Sequence, residues 1–112
     1  MPTHAELSAK LLGDAATFFR TLAQHNEPLR KQMTENASVF EQMADFLIND
    51  PEGVLDGAQV SELAGRLLKD AAMFFRTLAE QNDPIREQMS ENANVYDQMG
   101  DLVIANPVGI LD

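Results

Sequence analysis

The sequence contains no cysteine, and no run of apolar residues approaches the roughly 20 that a helix needs to cross a membrane. Without cysteine, disulfide bonds, thiolate nucleophiles and cysteine metal sites are excluded. The first residues have neither the basic segment nor the apolar segment that a secretory signal requires. We therefore expect a cytoplasmic protein without a membrane partner.

Basic residues are also few. Eight Lys and Arg stand against 18 Asp and Glu, which gives a formal net charge of −10. The acids are spread evenly along the chain, and no basic run offsets them. Such a surface repels phosphate backbones and anionic headgroups, so we expect no nucleic-acid partner. The charge is compatible with a basic protein partner.

The chain consists of one unit written twice with a period of 56 residues. Over residues 5–56, 30 of 52 positions are identical to the residue 56 positions later. The six residues at 18–23 return unchanged at 74–79. Because 45% of the residues are apolar, a chain of 112 residues can form a core. We expect a single helical domain made of the repeats 1–56 and 57–112.

Apolar residues recur at steps of three and four in both halves of each repeat, as they do along one side of a helix. In the first half of repeat 1, the row is Leu7, Leu11, Ala15, Phe18 and Leu22. In its second half, the row is Leu29, Met33, Asn36, Phe40, Met43 and Leu47. This spacing predicts helices over residues 4–25, 28–49, 57–81 and 84–105, and no strand.

Polar residues and prolines mark the starts of these helices. Thr3 with Glu6, and Asp56 with Gln59, predict capping boxes for the first and third helices. A proline lies in the first turn of the second and fourth, where its missing N–H is tolerated.

Short loops force each pair of helices into an antiparallel hairpin, and one hairpin cannot bury its own apolar faces. The sequence therefore predicts an all-α fold: an antiparallel four-helix bundle of two tandem helical hairpins with internal pseudo-twofold symmetry. Pairing between hairpins of different chains is the alternative.

Four amide side chains fall on the predicted apolar side of the second helices. Asn36 and Asn92 lie near the middle of the apolar arc, and Gln32 and Gln88 lie one turn earlier on the same side. A buried amide left without a hydrogen-bond partner costs about 1–3 kcal/mol. The amides therefore predict either a network that fixes the register of the bundle or a polar cavity on the twofold axis that binds a small ligand.

The second helix of each repeat has a wider apolar arc than a bundle requires. Val39 and Phe46 extend the arc in repeat 1, and Val95 and Leu102 are their copies. Either residues 54–55 and 110–111 fold back over this strip, or the strip is an interface, for example of a homodimer.

Two arginines are further interface candidates. Folding each hairpin brings Arg20 level with Glu35, and Arg76 level with Glu91, so an ion pair is expected in each repeat. An exposed pair of this kind contributes less than about 1 kcal/mol. The alternative is that Arg20 and Arg76 anchor a partner, because arginine is common in interface hot spots.

The residue patterns of known catalytic, metal and cofactor sites are missing from the sequence. It contains no Glu-x-x-His pair, and the two histidines, His4 and His25, have no matching histidine in repeat 2, so we expect them at helix ends or on the surface. No serine is placed beside a histidine, and no phosphate-binding glycine loop occurs. The paired phenylalanines could form a cofactor slot, but aromatic residues at helical spacing are typical of a core. We expect no enzyme, metal or cofactor.

Two functions remain. The first is a non-catalytic acidic helical-bundle module that binds or regulates another protein. The second is a small-molecule carrier or sensor with its ligand between the two hairpins. A void beside the four amides would favour the carrier, and a filled interior would favour the module.

Overall fold

Each repeat forms a helical hairpin, and in a computed structural model the two hairpins pack together as a four-helix bundle. The structure describes residues 2–55 and 57–110. Its helices are α1 (His4–His25), α2 (Arg30–Asn49), α3 (Val60–Gln81) and α4 (Arg86–Ala105). The closest packing is within each hairpin, α1 against α2 and α3 against α4, while α1 also contacts α3 and α4, and α2 contacts α3. The predicted all-α bundle is confirmed.

The start of α1 is the predicted capping box. The Thr3 hydroxyl accepts a hydrogen bond from the Glu6 N–H at 3.1 Å, and the Glu6 carboxylate accepts one from the Thr3 N–H at 2.8 Å. Two free N–H groups of the first turn are thereby satisfied.

A single 3₁₀ turn precedes each of the second helices of the hairpins, at Glu27–Leu29 and Asp83–Ile85. Each turn holds its proline in the first or second position, where no N–H is required. Consequently α2 and α4 begin two residues later than the spacing predicts.

The expectation of no strand is wrong. Strand β1 (Val54–Leu55) pairs antiparallel with β2 (Ala58–Gln59) between the two hairpins. Gly57 has a φ of 83°, a left-handed conformation that glycine adopts without a steric penalty and that permits the tight reversal. Because residues 58–59 belong to this ladder, α3 begins at residue 60, and its N-cap Gln59 makes no side-chain capping bond. Asp56, its predicted capping partner, lies outside the described residues.

The start of α1 is joined to the segment after α4 by the same backbone contacts that join the start of α3 to the segment after α2. The amide that begins α3 donates to the carbonyl of Gly53 at 2.9 Å, and the amide that begins α1 donates to Gly109 at 2.8 Å. A β-bridge joins Thr3 to Ile110, and these positions correspond to residues 59 and 54 of the internal strand pair. The internal twofold therefore includes the connections as well as the helices.

The centre of the bundle is filled with aromatic rings. The centroids of Phe19 and Phe74 lie 5.3 Å apart, and those of Phe18 and Phe75 lie 5.5 Å apart, in edge-on arrangements that favour aromatic contact. Phe18 also contacts its own counterpart Phe74 at 6.4 Å, so the pseudo-twofold axis passes between these two rings. The phenylalanine pairs pack the two hairpins against each other at the centre of the bundle.

Candidate functional site

Two open grooves lie between the hairpins and are related by the internal twofold. The α2–α3 groove has a volume of about 310 Å³ and is lined by Phe19, Asn36, Val39, Phe40, Leu67, Asp70, Ala71 and Phe74. The α1–α4 groove has a volume of about 280 Å³ and is lined by Leu11, Asp14, Phe18, Phe75, Asn92, Val95 and Tyr96. Each residue of the second groove has its counterpart in the first, and only the pair Phe40 and Tyr96 differs in type.

Helical spacing places the groove residues together. On α2, Asn36 and Val39 are three residues apart, and on α3, Leu67, Asp70 and Phe74 follow at steps of three and four. Phe19, Phe40 and Ala71 are buried, whereas Val39 and Asp70 are exposed and Asn36 is partly exposed. Each groove thus has an apolar inner surface with a carboxylate and an amide nearer the solvent.

The four predicted amides are not brought into one cavity. Gln32 and Gln88 are exposed, while Asn36 and Asn92 are partly exposed and line different grooves. The twofold axis, where the ligand hypothesis placed a shared cavity, is occupied by phenylalanine rings. Gln32 does lie in one row with Val39 and Phe46, because steps of seven residues return to nearly the same side of a helix.

The apolar strip on α2 and α4 stays largely uncovered. Val39, Phe46 and Val95 are 48%, 44% and 49% exposed, and Leu102 is partly buried. Val54 of β1 is itself 68% exposed, and Leu55 packs against the core. Leu111, in the corresponding segment of repeat 2, lies outside the described residues.

Tyr96 makes a hydrogen bond in the α1–α4 groove that its counterpart Phe40, which has no hydroxyl, does not make in the α2–α3 groove. Its hydroxyl donates to the carbonyl oxygen of Leu11 at 2.8 Å. Burial raises the pKa of Tyr96, and the negative charge of Asp14 raises this pKa further. The phenol is therefore held in its neutral, donating form beside an acidic side chain.

The expected pairing of the two candidate arginines is wrong. Arg20 Nε donates to Glu41 Oε2 at 3.2 Å, and Arg76 pairs with Asp97 at 2.8 Å, rather than with residues 35 and 91. On α2, the fully buried Ala37 marks the side that faces the bundle. Glu41 lies one turn after Ala37 on the same side of α2, whereas Glu35 lies on nearly the opposite side.

The ion pair between Arg20 and Glu41 also shifts the pKa values of both side chains. The hydrogen bond from Arg20 lowers the pKa of Glu41 below its ordinary value, and the same bond raises the pKa of Arg20. Both side chains are exposed by 40% or more, so solvent screens the pair. Arg20 and Arg76 are engaged within the chain in this structure.

A second pair of grooves lies within the hairpins, near the loops. The one in repeat 1 measures about 290 Å³ and is lined by Arg20, Ala23, Gln24, Arg30 and Thr34. Its two arginines already pair with Glu41 and Glu27. The positive charge is thus neutralised, and an anion would have to displace a carboxylate to bind here.

His4 lies at a helix end, as expected, because it is the first residue of α1, and it is buried rather than on the surface. It is 9% exposed, and its Nδ1 lies 2.8 Å from the carbonyl oxygen of Asn106, which connects the start of α1 to the end of α4. Its counterpart Val60 is also buried. His4 therefore belongs to the junction of the chain ends.

Sequence reasoning did not single out Asp14 and Asp70 as groove residues. A signal was present, because Asp14 is three residues after Leu11 and four before Phe18. Those steps place it in the apolar row of α1.

The fold and these grooves define a small all-α four-helix bundle with two equivalent, acid-bearing apolar grooves. No protein-family model matches the chain, and no curated protein or solved structure is significantly similar to it. Within residues 2–55 and 57–110, no helix is long and apolar enough to cross a membrane. In the same part of the chain, no three His, Asp or Glu side chains are grouped to hold a metal ion.

Proposed function

We propose that the protein is a non-catalytic module that binds another protein through the α2–α3 and α1–α4 grooves. One observation carries the proposal. Val39 and Val95 stay about half exposed beside grooves with apolar inner surfaces after both hairpins have packed. Apolar surface in such a position is stabilised when a partner removes it from water.

The size and openness of the grooves favour a protein partner over a small ligand. Sites that bind small molecules measure about 300–1,000 Å³ and bury most of the ligand surface. The grooves, at about 310 and 280 Å³, lie at the lower limit of this range and open to solvent. Each has room for one or two side chains of a partner, and the centre between the hairpins holds phenylalanine rings rather than a void.

The test is affinity capture from a lysate of the source organism with wild-type protein and a Val39→Asp/Val95→Asp variant. Both positions are exposed, so we expect the helical content and melting temperature to stay unchanged while capture of the partner is lost. Light scattering on the same two proteins tests a second copy of the chain as the partner.

The matched control is Ile48→Asp/Val54→Asp, which makes the same chemical change at two exposed positions outside the grooves. Ile48 is nine residues from Val39, about half a turn around α2. The proposal is contradicted if the groove variant captures the same proteins as wild type, or if the control loses them equally.

A further inference from the structure

We infer that each groove receives an arginine side chain from a basic amphipathic helix of the partner protein. This inference rests on the proposed function and names the chemistry of the partner.

The residues of one groove match the two parts of an arginine side chain. Leu67, Phe74 and the buried Phe19 offer apolar surface to its methylene stem. The carboxylate of Asp70 and the amide oxygen of Asn36 are hydrogen-bond acceptors in the same groove. A planar guanidinium can donate to both and contact the aromatic rings, whereas an ammonium lacks this fork of donors.

The charge of the groove favours a cation. Neither Asp14 nor Asp70 forms an ion pair with any Lys or Arg in the part of the chain that the structure describes. By contrast, Glu41 and Asp97, at the seams inside the hairpins, are paired with arginines. With a net charge of −10 for the whole chain, an incoming cation is attracted and an anion is repelled.

The row of exposed residues on α2 explains why the arginine should come from a helix. Val39 and Phe46 are seven residues apart, about 10.5 Å along the helix axis. A partner helix lying along α2 presents apolar side chains at the same interval to these two residues. Val39 and Asp70 line the same groove, so an arginine on that partner helix is expected to enter the groove beside Val39.

The α1–α4 groove offers the same acceptors in Asp14 and Asn92, beside the exposed Val95. Among its lining residues, only Tyr96 differs in type from its counterpart, Phe40, and the Tyr96 hydroxyl is already donated to a backbone carbonyl. In the exposed row beside it, the partly buried Leu102 takes the place of Phe46. Both grooves should therefore bind the same probe, two molecules to each chain.

The test uses a synthetic helical peptide of about 14 residues, with leucines on one side and arginines beside them. A second peptide carries citrulline, a neutral isostere, at every arginine position. In ¹H–¹⁵N NMR titrations, we expect the arginine peptide to shift the backbone signals of Asn36, Val39, Asp70 and their counterparts. Its affinity should exceed that of the citrulline peptide about tenfold, because a hydrogen bond to a charged group is lost.

The protein variant Asp14→Asn/Asp70→Asn should weaken the arginine peptide about tenfold and leave the citrulline peptide unchanged. The matched control, Asp45→Asn/Glu52→Gln, removes two charges at exposed positions that do not line either groove. It should bind the arginine peptide as wild type does.

The outcomes separate this inference from the proposed function. Equal affinities for the two peptides, equal losses in the groove and control variants, or no binding at millimolar peptide overturn the arginine inference. They leave the proposed function standing if Val39→Asp/Val95→Asp still abolishes capture of the partner. If that variant captures the partner normally, the proposed function fails whatever the peptides do.

Discussion

Asp14 and Asp70 lie in the same helical rows as the apolar residues that line the grooves. At the scale of single residues, this combination is what gives the grooves their chemistry. Both carboxylates are exposed to solvent, so an incoming cation meets their charge beside the apolar side chains that line the grooves.

Tyr96 provides a spectroscopic test of the α1–α4 groove, because it is the only tyrosine and the chain has no tryptophan. Since burial and Asp14 raise its folded-state pKa, we expect ionisation of the native protein well above the ordinary pKa of about 10. The associated stability is present below the unfolded-state pKa and lost as the pH rises through the folded-state pKa.

Ultraviolet absorbance during an alkaline titration measures this shift, with the urea-unfolded protein as the reference. Tyr96→Phe, which reproduces the residue of repeat 1, should remove the absorbance change altogether. The same titration midpoint for the folded and unfolded protein would contradict the burial of Tyr96.

Ser8 is a second residue whose surroundings can be tested. Its hydroxyl oxygen is buried and has no hydrogen-bond partner among the described residues, and repeat 2 has Ala64 in its place. Because an unpaired buried hydroxyl costs about 1–3 kcal/mol, Ser8→Ala should raise the free energy of unfolding by about 1 kcal/mol or more.

Urea denaturation measures the change. Ser90→Ala, at a partly exposed helix position, controls for the higher helix propensity of alanine. If Ser8→Ala stabilises the protein no more than Ser90→Ala does, the hydroxyl of Ser8 has a partner after all.

At the scale of elements, apolar spacing predicted the four helices well. The bounds of α1 agree with the prediction at both ends, and α2, α3 and α4 end where they were predicted to end. The starts of α2, α3 and α4 lie two or three residues later than predicted. A 3₁₀ turn precedes α2 and α4, and a strand precedes α3, where helix was expected. The dipeptide Asp56-Gly57, a known hairpin signal, is the feature of the sequence that indicates the strand pair.

Spacing along one helix predicts which residues share a face, but it does not predict how far the partner helix is rotated or shifted. For this reason Arg20 was assigned to Glu35, which lies six residues before its actual partner Glu41 and on another side of α2. The same limit affected Asn36, which lies at the edge of the buried face rather than inside the core. Asn36 and Asn92 consequently line two separate grooves.

The α3–α4 contact is closer than spacing alone indicates, because glycines replace the alanines of repeat 1. A Cβ added to Gly65 would lie 2.8 Å from the carbonyl oxygen of Gly100 and 2.3 Å from the side chain of Ile104. We expect Gly65→Ala to lower the free energy of unfolding by about 1–3 kcal/mol, because the helices must separate.

Gly13→Ala is the matched control, since a Cβ at this position in α1 meets nothing within 4 Å. Helix propensity alone should make it stabilising by about 1 kcal/mol. Thermal and urea denaturation distinguish the two variants. If both stabilise the protein, the close approach of α3 and α4 at Gly65 is not present in solution.

At the scale of the whole molecule, the junction between α4 and α1 has the same backbone hydrogen bond as the junction between α2 and α3. Val60 follows Gly53 by seven positions, and joining residue 112 to residue 1 would make His4 follow Gly109 by seven positions as well. A rearranged chain of residues 57–112 followed by 1–56 should therefore fold with the same helical content and a similar melting temperature, because both junctions keep their backbone hydrogen bonds.

Circular dichroism and thermal denaturation check this rearrangement. A second chain, joined in the same way but opened between Ala16 and Thr17 in the middle of α1, should lose most of its stability, because it breaks a helix that contacts the other three. Similar behaviour of the two rearranged chains would contradict the cyclic symmetry of the fold.

Isothermal titration calorimetry of the arginine peptide tests the central claim, two equivalent binding grooves, most directly. Wild-type protein should bind two peptides with similar affinity. Asp14→Asn and Asp70→Asn should each leave one site unchanged and weaken the other about tenfold. A single peptide for each chain, or a weakening of both sites by either substitution, would contradict the claim.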